Sequence, residues 1–214
     1  MVEAPTTGGN NKFKQWFGGG AEEYVVEKIR EHQEKLLPFT GPYIGKRNLD
    51  IGCGTGIPSL VHQEKLGIEP TLCDTRDIRD ESATSFPFLR IEGNKLPFQD
   101  NSFDSSYIQY VLHHMPRQSD VVDVLLEAFR VSPRLVLVEE IRGERTDVSR
   151  AKKIDEAMNS IVHPNIPMPV REYFSVQELE ALLNALGRKP IFHALVSGGT
   201  KENGFLEQHV FVAE

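Results

Sequence analysis

Three glycines at alternate positions follow an aliphatic stretch in Leu49-Asp50-Ile51-Gly52-Cys53-Gly54-Thr55-Gly56. Glycines placed after a strand let the backbone approach a ligand where a Cβ would collide. The spacing departs from the dinucleotide fingerprint G-x-G-x-x-G. Its third glycine position is Ile57 here, and the glycine falls one residue early. Asp50 lies just ahead of the cluster. A carboxylate so placed repels a pyrophosphate and attracts an ammonium, directly or through water. Asp74 closes the next apolar segment, where a carboxylate can accept both hydroxyls of a ribose. Asp77 is its rival if that segment runs longer.

These residues need a scaffold of strands and helices. Arg47 to Ile51 reads as a strand, the glycines as a tight turn, and Ser59 to about Leu66 as a helix closed by Gly67. Pro58 suits a first helical turn, where its missing N–H has no partner to lose. Pro70 to Asp74, Phe88 to Glu92 and Ser105 to Val111 read as further strands. Ser119 to Val131 carries Val122, Leu125, Leu126 and Phe129 at helical spacing. Leu135 to Val138 is a continuous apolar run, as in a strand buried on both faces. Alternating strands and helices imply a mostly parallel sheet. Ahead of them, a helix carries Tyr24, Val25, Ile29, Leu36 and Leu37, and Pro38, Gly41 and Pro42 are expected to end it. Beyond them, Arg150 to about Val162 is helical. Three prolines then impose an irregular stretch, and Ser175 with Glu178 forms a capping box. Ile191 to Val196 and Phe205 to Val212 flank a Gly-rich turn and form an antiparallel pair.

A site that wants an amino-acid end and a ribose but no phosphate matches S-adenosylmethionine, and from Leu49 to Val138 the chain resembles the class I methyltransferase family. Leu96-Pro97-Phe98-Gln99-Asp100-Asn101-Ser102-Phe103-Asp104 resembles the family's segment between its third and fourth strands. Val111-Leu112-His113-His114-Met115 resembles the end of the fourth strand, and Leu126 to Val131 the helix before the fifth. The small-molecule enzymes that include quinone-biosynthesis methyltransferases are the nearest group.

The resemblance implies an α/β fold. Its sheet is Rossmann-like, mostly parallel and seven-stranded, with a C-terminal antiparallel hairpin strand and helices on both faces. It implies that Asp50, Gly52 and Gly54 hold the methionine part of the cofactor and that Asp74, with Thr75 beside it, binds the ribose. Asn94, Lys95 and Leu96 would flank the adenine, with Asn94 standing where many relatives carry Asp, and Gln109 would lie by the methionine portion. S-adenosylhomocysteine is the implied product. The implied reaction is in-line methyl transfer to a small molecule. A catalytically inactive binding module and a nicotinamide-dependent oxidoreductase are the alternatives.

Outside the glycine cluster the roles are open. His113 or His114 either faces the substrate as a base or orienting group, or packs structurally. Trp16, Phe17 and Tyr24 form either an aromatic lid or, for Tyr24, a helix packed on the sheet. His163, Met168 and Tyr173 either line the substrate pocket or belong to a plain surface connection. Cys53 reads as a small buried residue rather than a nucleophile. Glu139 and Glu140 are adjacent at a strand end and point opposite ways, so no metal is expected.

The composition agrees with this reading. A chain of 214 residues suits one domain with a sizeable core. The expected division is a disordered tail over 1–11 and a single domain over 12–214, with a helical cap over 12–42 and a pocket insertion over 145–174. A net charge of −7, from 24 basic and 31 acidic residues, argues against nucleic-acid or membrane-surface partners. Two cysteines are too few for a disulfide framework or a tetrahedral zinc site, which fits a reduced, cytoplasmic home. No apolar run reaches membrane-spanning length. The expected state is a monomer or homodimer.

Overall fold

The computed structural model describes residues 21–91, 95–144, 146–162, 168–198 and 206–214. Trp16, Phe17, Asn94 and His163, together with the expected tail over 1–11, lie outside the described residues.

Helix α1 (Ala21–Thr40) leads into β1 (Arg47–Ile51), α2 (Ile57–Leu66), β2 (Glu69–Asp74), β3 (Phe88–Arg90) and β4 (Ser105–Gln109). There follow α3 (Gln118–Val131), β5 (Leu135–Ile141), α4 (Val148–Val162), α5 (Val176–Ala185), β6 (Pro190–Ser197) and β7 (Glu207–Ala213). The strands form one seven-stranded sheet in the order β3-β2-β1-β4-β5-β7-β6. The first five are mutually parallel, with Leu49 opposite Thr71 on one side and Ser106 on the other. β7 inserts antiparallel between β5 and β6, with Leu137 opposite Phe211. The sheet is the expected Rossmann-like one. Its winding reverses between β1 and β4, and such a reversal opens a crevice at the carboxyl ends of the strands.

β5 is buried over most of its length, as its unbroken apolar run requires. The buried face of α3 is Val121, Val124, Leu125, Ala128 and Phe129. Leu126, expected to face inward, is nearly half exposed. The helix carries two apolar stripes one position apart, and the stripe that keeps small Ala128 against the sheet is the one that packs.

Pro38 does not end α1, which continues to Thr40. Thr40 is buried, and its hydroxyl donates to the Leu36 carbonyl at 3.1 Å, which holds the turn around the ring. The Ser175–Glu178 capping box forms as expected: the Glu178 amide donates to the Ser175 hydroxyl and the Ser175 amide to the Glu178 carboxylate. Among the described residues, no helix is long and apolar enough to cross a membrane.

Candidate functional site

The site grows from the ends of β1 and β4. The amides of Gly52 and Cys53 both donate to the Cys73 carbonyl, at 2.8 and 3.1 Å, turning the chain back over β2. That turn sets Gly52 at φ +74° and Gly54 at φ +53°, a region costly for residues with a Cβ. At Gly52 a Cβ would come within 2.6 Å of the Val111 Cγ2 atom, across the switch point. At Gly54 it would meet no protein atom within 4 Å. At Gly54 the positive φ, rather than packing, is what calls for glycine.

Two cavities meet over Gly54. The first, of about 690 Å³, is lined by Tyr24, Gln33, Asp50, Gln109, His113 and Asp155 among others. The second, of about 680 Å³, is lined by Asp74, Thr75, Ile91, Met115 and Arg117 among others. Gly52, Gly54, Tyr110, His114 and Met168 border both.

Asp50 is buried and accepts from the Ser59 hydroxyl at 2.6 Å. Burial is the main reason its carboxyl is raised to about 7, and the neighbouring Asp74 adds to the rise against the Ser59 hydrogen bond. Asp74 accepts from the Gly54 amide at 3.0 Å with one oxygen and from the Arg76 amide at 3.2 Å with the other. An elongated ligand crossing Gly54 thus meets Asp50 on one side and Asp74 on the other. The donor set fits a group with an ammonium at one end and a diol near its middle, and it fits a pyrophosphate poorly.

β4 ends at a strained residue. Tyr110 has φ +55°, which is uncommon outside glycine and clusters at functional sites. Its hydroxyl pairs with His32 Nε2 at 2.8 Å. Gln109 accepts from the Tyr107 hydroxyl at 2.7 Å and from the Gln33 amide at 2.8 Å. These bonds fasten α1 across the mouth of the first cavity, and Tyr24 on the same helix is largely exposed at its rim.

Beyond Tyr110 a short 3-10 turn carries His113 and His114. His113 is buried, and its Nδ1 hydrogen-bonds the fully buried carboxylate of Glu139. Burial alone would depress its pKa, but Glu139, aided by Glu140 and Asp155, raises it to about 8. His114 is depressed to about 4, by burial first and by His113 second. Burial also raises the Glu140 carboxyl to about 7. Both thiols, Cys53 and Cys73, are free and buried, and burial pushes them well up.

The structure gathers Asp50, Gly52, Gly54, Gln109, His113, His114 and Tyr24 on the first cavity and Asp74 and Thr75 on the second. Three expected positions differ. Tyr173 does not line the pocket: it is fully buried behind it, among Ala151, Val170 and Leu206, with its hydroxyl on Asp155. Leu96 is a core residue whose amide donates to Glu127 at 2.8 Å. Lys95 is exposed, and neither residue lines either cavity. Asp155, His32 and Gln33 were not anticipated at the site. Their only signal was helical spacing, such as Asp155 four residues before Asn159, and that spacing alone does not say which face turns inward.

A family model described as a methyltransferase domain matches residues 49–134. The sterol 24-C-methyltransferase of Schizosaccharomyces pombe is 24% identical, covering 78% of this chain and 46% of its own. A ubiquinone/menaquinone biosynthesis C-methyltransferase of Azotobacter vinelandii is 30% identical over 48% of this chain and 46% of its own. The chain thus spans about half the length of these curated relatives. A solved Burkholderia thailandensis 1,6-didemethyltoxoflavin N1-methyltransferase, with bound 1,6-didemethyltoxoflavin and S-adenosylhomocysteine, superposes with a TM-score of 0.62. It is 17% identical and covers 99% of this chain and 92% of its own.

Proposed function

We infer that this chain is a class I methyltransferase that transfers a methyl group from S-adenosylmethionine to a small-molecule acceptor. The observation that carries the reading is the placement of Asp50 and Asp74 on either side of Gly54, whose missing side chain leaves the passage between the two cavities open. When bound, S-adenosylmethionine would supply an electrophilic methyl on a sulfonium, with S-adenosylhomocysteine as the leaving group.

The chain's own residues do the positioning. Asp50 attracts the ammonium of the amino-acid end, and Asp74 accepts the ribose hydroxyls. Ile91 and Met115 offer the base an apolar wall in the second cavity. Gln109 is held by Tyr107 and Gln33, so its side chain is fixed before any ligand arrives. The first cavity is of a size that takes a drug-like molecule. α1 lines it with Tyr24, Val25 and Ile29. The net charge of −7 disfavours a nucleic-acid acceptor.

Calorimetric titration of the purified protein with S-adenosylmethionine, S-adenosylhomocysteine and NAD tests the reading. Both adenosyl ligands are expected to bind and NAD is not. Transfer of labelled methyl to pooled small metabolites then identifies the acceptor. Binding of NAD, or failure of both adenosyl ligands, overturns the proposal.

A further inference from the structure

The first cavity contains a second chemical centre that holding the cofactor does not require. His113, His114 and Asp155 converge on one point of its wall. Among the described residues they form a set of three potential ligands whose donor atoms all lie within 4.8 Å of one another. We propose that His113 Nε2, His114 Nε2 and the Asp155 carboxylate bind a divalent transition-metal ion of the Zn²⁺ or Fe²⁺ type, with its open coordination positions facing the acceptor.

The hydrogen bonds around the cluster fix which atoms point inward. Glu139 offers only acceptor oxygens, so the Nδ1 of His113 is the donor in their bond and its Nε2 is turned toward Asp155. The Pro169 carbonyl likewise takes Nδ1 of His114, at 3.5 Å, and turns that ring's Nε2 the same way. Both Nε2 atoms face Asp155 Oδ2, at 3.6 and 4.0 Å. These separations are too long for hydrogen bonds. They are close to the roughly 3.3–3.5 Å between ligands that each sit about 2.0–2.1 Å from a shared tetrahedral ion.

The surroundings match a metal centre. Metal-bound histidines almost always give their other ring nitrogen to a carboxylate or carbonyl. Both do so here, His113 to Glu139 and His114 to Pro169. Glu139 is itself held by the amides of Leu112 and Glu140, each at 3.0 Å. Asp155 is oriented by the Asn159 amide at 3.1 Å and the Tyr173 hydroxyl at 3.3 Å. Two imidazoles and one carboxylate with open positions are the donor set of catalytic zinc and non-haem iron sites. In this reading the histidines are ligands rather than proton acceptors, and the acceptor molecule carries an oxygen that the metal can coordinate and acidify.

Cobalt(II) chloride titrated into the purified full chain is the direct test, followed by visible ligand-field absorption. One saturable equivalent with an intense visible band is expected. His114→Gln and Asp155→Asn should each weaken Co²⁺ binding about 100-fold. Glu139→Gln should weaken it roughly 10–100-fold, as outer-shell partners of metal ligands do. His193→Ala removes an imidazole paired with His209 at 2.7 Å elsewhere on the sheet, and it should change nothing. Circular dichroism melting and S-adenosylhomocysteine titration of each variant report folding and the cofactor site separately. Failure of the cofactor to bind therefore leaves the metal result standing, and the converse holds. Absence of saturable Co²⁺ binding by the wild-type chain overturns the proposal. So does a folded His114→Gln variant with unchanged affinity and spectrum.

Discussion

The backbone amide of Gly54 donates to the carboxylate of Asp74 at 3.0 Å, joining the glycine turn after β1 to the tip of β2. The bond sets the direction in which the Asp74 oxygens project before any ligand binds, and the Arg76 amide holds the second oxygen.

Asp74→Ala is therefore expected to remove two charge-assisted acceptors from the ligand. Hydrogen bonds to charged groups are worth about 1.5–3 kcal/mol, which corresponds to roughly a 10–150-fold loss of S-adenosylhomocysteine affinity. Calorimetry measures it. A change below about threefold would remove Asp74 from the ribose site.

Asp50 makes that affinity pH-dependent. Its carboxyl is raised to about 7 by burial and by Asp74, and an ammonium beside it favours the ionised form. Below about pH 7 binding must expel the proton, so affinity should fall up to tenfold per pH unit between 7 and 5.5. Of the groups around Asp50, the Tyr107 hydroxyl and the thiols of Cys53 and Cys73 are raised by burial and stay protonated across this range. Calorimetry from pH 5.5 to 8.5 should show affinity falling toward acid pH, and Asp50→Asn should flatten that fall.

The two glycines separate packing from ligand approach. Gly52→Ala is expected to cost about 2–4 kcal/mol in urea unfolding, from the positive φ and the Val111 contact together. Gly54→Ala should cost only about 1–2 kcal/mol, since its methyl meets no protein atom. It should still weaken S-adenosylhomocysteine at least tenfold, because that methyl enters the passage between the cavities. Equal behaviour of the two variants would contradict this division.

Arg130 ties down the segment before β4. Its guanidinium donates to the carbonyls of Leu96 and Phe98, each at 2.8 Å, and to Asp100 and Glu127 at 2.7 Å. Glu127 in turn accepts from the Leu96 amide. The guanidinium is partly exposed, so Arg130→Ala should cost only about 1–2 kcal/mol. Hydrogen exchange should rise over Leu96 to Asp100 while β1 and β5 stay protected.

Much of this architecture was legible in the chain because its signals are local. The glycine turn, the unbroken apolar run of β5 and the Ser175–Glu178 capping box each declare their geometry within a few residues. The positions of Asp50 and Asp74 were readable for the same reason, since one lies near the end of a short strand and the other closes one. What stayed hidden depends on distant partners. The burial of Glu139 against His113 joins positions 26 residues apart, and no spacing rule carries that. Asp155 sits on a helix whose register only tertiary packing selects. The same ambiguity turned Leu126 outward and Val121 inward on α3. Tyr173, an aromatic in an otherwise irregular stretch, read equally well as pocket wall or as core.

The position of β7 bears on how the molecule is made. Glu207–Ala213 is synthesised after every other described element, yet it occupies an interior place between β5 and β6. Until it leaves the ribosome, β5 presents an unpaired apolar edge, and β6 has no neighbour in the sheet. Exposed edges of this kind invite aggregation. The nascent chain can assemble the parallel half and its ligand crevice early, but the sheet closes only as a late threading step, when the last strand slots between two others already waiting for it.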